Sequence, residues 1–292
     1  MRGQETWESI GKFLGELWGE AFVIREARTV GGGCINEAFV VTDGKRKVFV
    51  KRNRPDQGSM FEAEAGGLRE LGQTATIRVP GVYGVGRTGD CSWIAMEYLD
   101  LGRAGPDSQT ALGKGLARLH QQTAEQFGWS RDNTIGSTPQ RNTVSGDWVS
   151  FWGRERLGYQ FDLAAERGGD FAGRQELLDR LPEYFEHYQP KPALLHGDLW
   201  SGNVGFTRSG EPVVFDPAVY YGDREAEFGI IEMFGGFSRD FYAGYESIFP
   251  LDEGFQRRRH LYLLYHQLNH YNLFGASYGE SVRGSLRQLL SQ

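Results

Sequence analysis

Near residue 100 the chain changes texture, and that change limits the folds open to it. Before Tyr98 the β-prone runs are short and broken by glycine, whereas after Pro106 apolar residues recur at helical spacing. A leading helix is predicted over 7–18, where Ile10, Phe13, Leu14 and Leu17 share one face. Runs at 22–30, 38–41 and 47–51 follow, separated by Gly31-Gly32-Gly33 and by Thr42-Asp43-Gly44, in which Asp-Gly is a strong hairpin signal. Ser59 with Glu62 three residues on has the form of a capping box, predicting a helix to about Leu71. Strands near 82–86 and 92–98 complete five.

The segment 99–106 holds two glycines and a proline without periodicity, as a linker should. Beyond it helices are predicted over 108–122, 148–165, 175–188, 225–233, 239–248, 255–272 and 281–290, with only 204–206 and 213–215 extended. Arg257-Arg258-Arg259 reads as the solvated face of a helix. Strands followed by helices give an α+β fold in two lobes, 1–99 and 107–292, joined at about 99–106.

Composition narrows the function. The 32 basic against 38 acidic side chains leave a net charge of −6, opposite to what attracts nucleic acid, so no nucleic-acid partner is expected. Cys34 and Cys91 are too few for a disulfide framework or a four-ligand zinc site, and the first 20 residues lack a signal peptide's order, which points to a reducing cytoplasm. The longest stretch free of Lys, Arg, Asp and Glu, 261–279, is interrupted by His266, Gln267, Asn269, His270 and Asn272, so a buried helix is expected there and no membrane span.

The string from His196 to Asn203 carries the chemistry: His-x-Asp, four residues, Asn, then a hairpin ending in Asp216. Phosphoryl transfer from ATP needs a carboxylate to orient and deprotonate the acceptor hydroxyl, and oxygen ligands for Mg²⁺ across the phosphates. Asp198 suits the first role; Asn203 and Asp216 suit the second. A lone Asp would more simply cap a turn, but order, spacing and the apolar strand before Asp216 are jointly improbable by chance. His196 is expected to support the backbone of this loop.

The first lobe must then hold phosphates. Gly31, Gly32, Gly33, Cys34 and Asn36 lie between two strands where a phosphate-clamping loop belongs, although Asn36 stands at the place of a third glycine and a structural hairpin turn reads equally well. Phe49-Val50-Lys51 is an alternating strand ending in a lysine that could grip phosphates, given a helical carboxylate to hold it extended. Glu64 is favoured for that partner because Glu64 and Leu68 share a face; Glu62 is the competitor. Glu97, Tyr98 and Leu99 end the last strand at the lobe boundary, where backbone of Glu97 and Leu99 could bond an adenine.

Together these residues resemble the protein-kinase-like superfamily. Within it they resemble the small-molecule branch of aminoglycoside phosphotransferases and choline kinases, where Asp-Phe-Gly gives way to Asp and another residue, here Asp216-Pro217. A closer resemblance is to the fructosamine-3-kinase, or ketosamine-3-kinase, family. It rests on 31–36, 60–64, 77–80, 133–140, 156–160, 196–203, 216–218, 233–237 and 268–271, and spans about 8–290.

The resemblance implies a five-stranded antiparallel sheet lobe before a mainly helical one, and ATP with Mg²⁺ phosphorylating the 3-hydroxyl of a ketosamine, free or on a glycated protein. The product would be unstable and shed its sugar, a deglycation role. Trp200 would offer a flat face for the sugar or its amine-bearing part, or else pack the loop; His270, with Asn269, would line the same pocket or be satisfied in a helical core. Cys34, near Lys51 and loop N–H groups, would be an oxidant-sensitive thiol, making the protein a monomer or a redox-linked homodimer; a turn position tolerating a small residue is the alternative. A rival phosphotransferase for an aminoglycoside, choline or a sugar would call for an acidic cleft, for which Asp223, Glu225 and Glu227 are candidates unless they cap a helix. Intact Lys51, Asp198, Asn203 and Asp216 argue against an inactive ATP-binding scaffold.

Overall fold

The computed structural model describes residues 4–31 and 35–291, so Gly32, Gly33 and Cys34 lie outside the described residues. Helix α1 (Gln4–Trp18) precedes strands β1 (Glu26–Val30), β2 (Glu37–Thr42) and β3 (Lys47–Asn53), then α2 (Gly58–Gln73), β4 (Val82–Arg87) and β5 (Ser92–Glu97). The five strands form one antiparallel sheet in the order β1-β2-β3-β5-β4. Asp43 closes the β2–β3 turn, accepting the N–H groups of Lys45 and Arg46 while Gly44 takes φ of 97°.

Alternation along the strands decides where Lys51 goes. Val48 and Val50 of β3, with Trp93 and Ala95 of β5, meet Ile10 and Leu14 of α1 on one face. Ile94 and Met96 meet Phe61, Ala65 and Leu68 of α2 on the other, and Phe49 packs with them. Burying each of the larger side chains among these contributes about 1.5–3 kcal/mol. Lys51, two residues from Phe49, therefore faces α2. Glu64 follows Phe61 by three and precedes Leu68 by four, which sets it in the same row on the helix.

Residues 98–106 are stitched to the second half of the chain: Gly102 N–H donates to Phe206 O at 2.7 Å, and Ser108 Oγ donates to Gly210 O at 2.6 Å. Helix α3 (Ser108–Leu119) opens that half, followed by the small hairpin β6 (Asn133–Ile135) and β7 (Thr138–Gln140). Next come α4 (Trp148–Phe151), a π turn (Trp152–Gly158), α5 (Tyr159–Glu166) and α6 (Arg174–Arg180). Strand β8 (Ala193–Leu195) leads to the hairpin β9 (Val204–Phe206) and β10 (Pro212–Val214), and β11 (Tyr220–Gly222) returns to pair with β8. Helices α7 (Glu227–Met233), α8 (Arg239–Glu246), α9 (Phe255–Phe274) and α10 (Gly279–Leu290) complete the fold. No described helix is long and apolar enough to cross a membrane.

Several expectations are corrected. Ser59 is not an N-cap: a 3₁₀ turn over Pro55–Gln57 leads into α2 at Gly58, with Gln57 at the cap and no side-chain cap bond. Glu62 instead pairs with Arg131 at 3.0 Å. The first strand starts at Glu26 because Phe22 leaves the ladder to fill the core beneath α1. The helix expected over 175–188 gives way to a 3₁₀ turn at Leu181–Phe185, where Pro182 has no N–H to continue an α-helix. Three-residue strands β6, β7, β8 and β11 were too short to show a period. Arg257-Arg258-Arg259 is no solvated face: Arg258 is buried, bonded to Glu225 at 2.8 Å and to Asp252 at 2.6 Å, with its guanidinium over Tyr188.

Candidate active site

The loop after β8 is shaped by its hydrogen bonds. Trp200 O accepts the Asn203 N–H at 2.9 Å as the loop tightens into a 3₁₀ turn. Asn203 Nδ2 donates to the Asp198 carbonyl at 2.8 Å and to Asp198 Oδ2 at 3.2 Å, fixing both side chains together. His196 is buried; its Nδ1 accepts the Asp198 N–H at 3.3 Å and its Nε2 faces Phe215 O at 3.1 Å. That places the proton on Nε2 of a neutral ring, and burial holds its pKa below the ordinary histidine value. His196 thus ties the Asp198 loop to the strand end that carries Asp216.

Asp216 has φ of 58°, the left-handed region that non-glycine residues seldom occupy. Its backbone is held on both sides. Phe215 N–H donates to Asn203 O at 3.1 Å, and Ala218 N–H donates to His196 O at 2.9 Å. Gly197, at φ of 83°, permits this approach, because a Cβ there would lie 2.1 Å from Ala218 O.

Lys51 joins the two halves of the site. Its Nζ donates to Glu64 Oε1 at 2.7 Å and also bonds Asp216 Oδ1. Burial works against the ammonium, yet the two carboxylates more than offset it, so the Lys51 pKa is raised and the residue is cationic. Asp198 is pushed well above the ordinary aspartate value, first by burial and then by the charges of Asp216 and Glu227, with the Asn203 bond opposing. A carboxyl so tuned is suited to take a proton.

The donor set fits a Mg²⁺ ion that takes one or two protein oxygens and completes its shell with phosphates and water. The Asp216 side chain is 46% exposed, and Asn203 Oδ1 accepts no hydrogen bond among the described residues. No cluster of three or more His, Cys, Asp or Glu that could cage a metal occurs among the described residues.

Asn36 accepts the Asn53 amide at 2.7 Å, which ties the end of the glycine run to β3, and Gly31 closes β1. Glu97 N–H donates to Gly81 O at 2.7 Å and is taken, while Leu99 N–H has no partner among the described residues. The Glu97 carboxylate is held by Arg78 at 2.8 Å and by Gly81 N–H at 3.1 Å. Tyr98 lies under Lys47 Nζ at 5.2 Å.

Trp200 and His270 are brought to one aromatic wall. The Trp200 ring packs 4.6 Å from Phe234, and the Phe234 ring meets His270 edge-on at 5.4 Å. His270 Nδ1 faces His266 O at 2.9 Å, which leaves Nε2 as an acceptor. Asn269 belongs to the core instead, buried and accepting the Gln160 amide at 3.3 Å.

The acidic acceptor patch is not there. Asp223, Glu225 and Glu227 are fully buried, bonded respectively to Tyr188 and Tyr262, to Arg258, and to the catalytic-loop backbone. Glu227 is the residue the sequence reading misplaced. It accepts the N–H groups of His196 at 2.7 Å, Gly197 at 3.0 Å and Leu199 at 3.3 Å from the start of α7. Phe234 was seen only inside the resembling string 233–237.

A five-stranded sheet lobe, a helical lobe, a lysine–glutamate pair and a His-x-Asp loop define a phosphotransferase of the protein-kinase-like fold. An aminoglycoside phosphotransferase of known structure shares that fold at TM-score 0.63 and 16% identity. The chain belongs to the fructosamine kinase family, whose sequence pattern matches residues 6–292. It is 47% identical to the chloroplastic protein-ribulosamine 3-kinase of Arabidopsis thaliana, over 90% of this chain and 82% of that one. It is 45% identical to a Synechocystis protein named as a probable ketoamine kinase, over 97% of each. A Haemophilus somnus structure assigned as a fructosamine-3-kinase superposes at TM-score 0.91 with 31% identity, over 97% of each chain.

Proposed function

We propose that this kinase uses ATP and Mg²⁺ to phosphorylate the 3-hydroxyl of a ketosamine, the sugar–amine adduct left by glycation, as a cytoplasmic repair step. The observation that carries the reading is the double contact of Lys51 with Glu64 and Asp216, which sets a phosphate-gripping cation beside the Asp198 loop. The ketoamine and ribulosamine kinase names of relatives at 45% and 47% identity support the substrate class.

In this reading Asp198 orients the acceptor hydroxyl and takes its proton, with Asn203 fixing the carboxylate. Lys51, held by Glu64, binds the α- and β-phosphates, and the loop Gly31, Gly32, Gly33, Cys34 and Asn36 covers them. Adenine bonds the Glu97 carbonyl and Leu99 N–H beside Tyr98. Asn203 and Asp216 would hold Mg²⁺, which supplies charge neutralisation across the phosphates when bound. Trp200 and His270 receive the acceptor, the indole as a stacking face and Nε2 as a hydroxyl partner. Residues 99–106 form the boundary between a clamp lobe, 1–99, and an acceptor lobe, 107–292, and Cys34 remains the candidate oxidant-sensitive thiol.

Incubation with Mg·ATP and a panel of a ketosamine, an aminoglycoside and choline, with ADP release and product mass measured, tests the reading. ADP release with the ketosamine alone, and a product heavier by one phosphoryl group, is the expected result; turnover of the aminoglycoside or choline instead would overturn it.

A further inference from the structure

The hairpin β6–β7 and the π turn carry a buried polar relay that the catalytic roles above do not use. Arg156 on the π turn is fully buried with no carboxylate partner among the described residues. Its guanidinium lies over the rings of Tyr220 at 4.1 Å and Phe151 at 4.7 Å, and donates to the Arg141 carbonyl and to Asn142 Oδ1, the latter at 2.8 Å. Asn142 Nδ2 donates to Asn133 Oδ1 at 3.0 Å, and Asn133 Nδ2 donates to Val219 O at 2.8 Å. Gln140 Nε2 donates to Asn133 Oδ1 at 2.8 Å and to Ala218 O at 2.9 Å, while its Oε1 accepts the Tyr265 hydroxyl at 2.9 Å.

Every amide in this relay has its orientation fixed, because each oxygen receives a donor and each NH₂ finds an acceptor. A charged donor strengthens the first bond and polarises the bonds behind it. The relay ends on two consecutive carbonyls, those of Ala218 and Val219, the second and third residues after Asp216. Asp216 itself has left-handed backbone, a conformation that persists only where its surroundings over-determine it. Before Asp216 the chain is held by Asn203 O and the His196 ring through Phe215, and after it by His196 O through the Ala218 N–H and by the relay through the Ala218 and Val219 carbonyls. From across the cleft α2 closes the arrangement, since a Cβ on Gly67 would lie 2.9 Å from Val219 Cγ2.

We infer that Gln140 and Asn133, backed by Arg156, are positioning residues for the phosphoryl transfer: by fixing the chain after Asp216 they hold its carboxylate in a metal-facing pose. The inference rests on the reading of Asp216 as a Mg²⁺-side carboxylate, so Asp216→Asn is measured in parallel. The experiment is calorimetric titration of the full chain with ADP, with and without Mg²⁺, alongside steady-state kinetics.

Gln140→Met keeps length and apolar packing and deletes both donors. It is expected to weaken Mg·ADP binding by roughly tenfold and Mg²⁺-free ADP binding by less than about twofold. Turnover should fall while KM for the ketosamine holds. Tyr265→Phe, which removes only the hydroxyl that orients Gln140, should shift the same ratio in the same direction by a smaller factor, and it decides the matter if Gln140→Met does not fold. Equal losses with and without Mg²⁺, or an unchanged ratio in both variants while Asp216→Asn loses it, would overturn the inference and leave the proposed function standing. An unchanged ratio in Asp216→Asn would overturn the reading of Asp216, and the inference with it.

Discussion

Glu227 Oε2 accepts the backbone N–H of His196 at 2.7 Å, and the same carboxylate receives the N–H groups of Gly197 and Leu199. One buried side chain at the start of α7 therefore satisfies the inner edge of the loop that presents Asp198. His120 Nε2 stands 3.6 Å from it, and Tyr245 fixes the other nitrogen of that ring at 2.9 Å. Burial alone would raise the Glu227 pKa; His120, His196 and the Gly197 N–H more than offset it, so the carboxyl lies below its ordinary value and is ionised. Glu227→Ala strands three buried N–H donors, each costing about 1–3 kcal/mol of stability, and Glu227→Gln should retain more stability yet lose turnover. Thermal melts and kcat at saturating substrates check both; a Glu227→Gln enzyme of wild-type activity would show that the charge does not shape the loop.

Lys51 tells the two glutamates apart. Glu64 is 2.7 Å from its ammonium, whereas Glu62 is exposed and bonded to Arg131. Lys51→Met should raise KM for ATP and depress turnover, Glu64→Ala should reproduce part of that loss, and Glu62→Ala should change stability by less than about 1 kcal/mol and leave kinetics alone, as exposed pairs do. The reverse order for the glutamates would exclude Glu64 as the phosphate-lysine partner.

The pH dependence follows from Asp198. Burial first, then Asp216 and Glu227, raise its pKa well above the ordinary value. The proton-accepting form is the carboxylate, so a raised pKa keeps the residue protonated to higher pH, and activity must rise as pH rises through it. The acidic limb of kcat/KM for ATP should therefore lie above the usual aspartate range, about 3.9. An acidic limb inside the usual aspartate range would refute the assignment. Asp198→Asn should lower turnover by at least about 10²-fold.

The sequence carried Lys51 and Glu64 because both obey short-range periods, two along β3 and three to four along α2. Asp198, Asn203 and Asp216 were legible as one candidate set because phosphoryl transfer calls for those residue types at that spacing, and the fold brings them together. Glu227 escaped because its partners are backbone N–H groups some 30 positions earlier, and a buried acceptor of main-chain donors leaves no pattern. For Asp223 the capping alternative holds, since it accepts the Glu225 N–H at 3.0 Å at the head of the 3₁₀ turn before α7, and the patch reading fails because Tyr188, Tyr262 and Arg258 reach Asp223 and Glu225 only through tertiary contact. Asn133 and Gln140 showed only as part of a resembling string and Asn142 not at all, since what they bind is the backbone of Ala218 and Val219 and the amides of one another.

The aromatic wall gives the last prediction. Trp200 packs 4.6 Å from Phe234, and Phe234, 39% exposed, meets His270 at 5.4 Å, so the three rings form one surface that begins at Trp200, two residues beyond Asp198 in the chain. A sugar or an alkylammonium arm lying against that surface loses a face when Trp200 is removed, whereas the nucleotide loses nothing. Aromatic contacts contribute about 0.5–1.5 kcal/mol beyond buried area, which corresponds to a several-fold change. Trp200→Ala should therefore raise KM for the ketosamine several-fold and leave KM for ATP nearly unchanged. Phe234→Ala should do the same more weakly, because it removes the support behind the indole. His270→Phe keeps the ring packing and deletes the Nε2 acceptor, so it should weaken the ketosamine without lowering the melting temperature. Steady-state kinetics with each substrate varied in turn provide the check. Equal rises in both Michaelis constants for Trp200→Ala would mean that the indole holds the loop together and does not receive the acceptor.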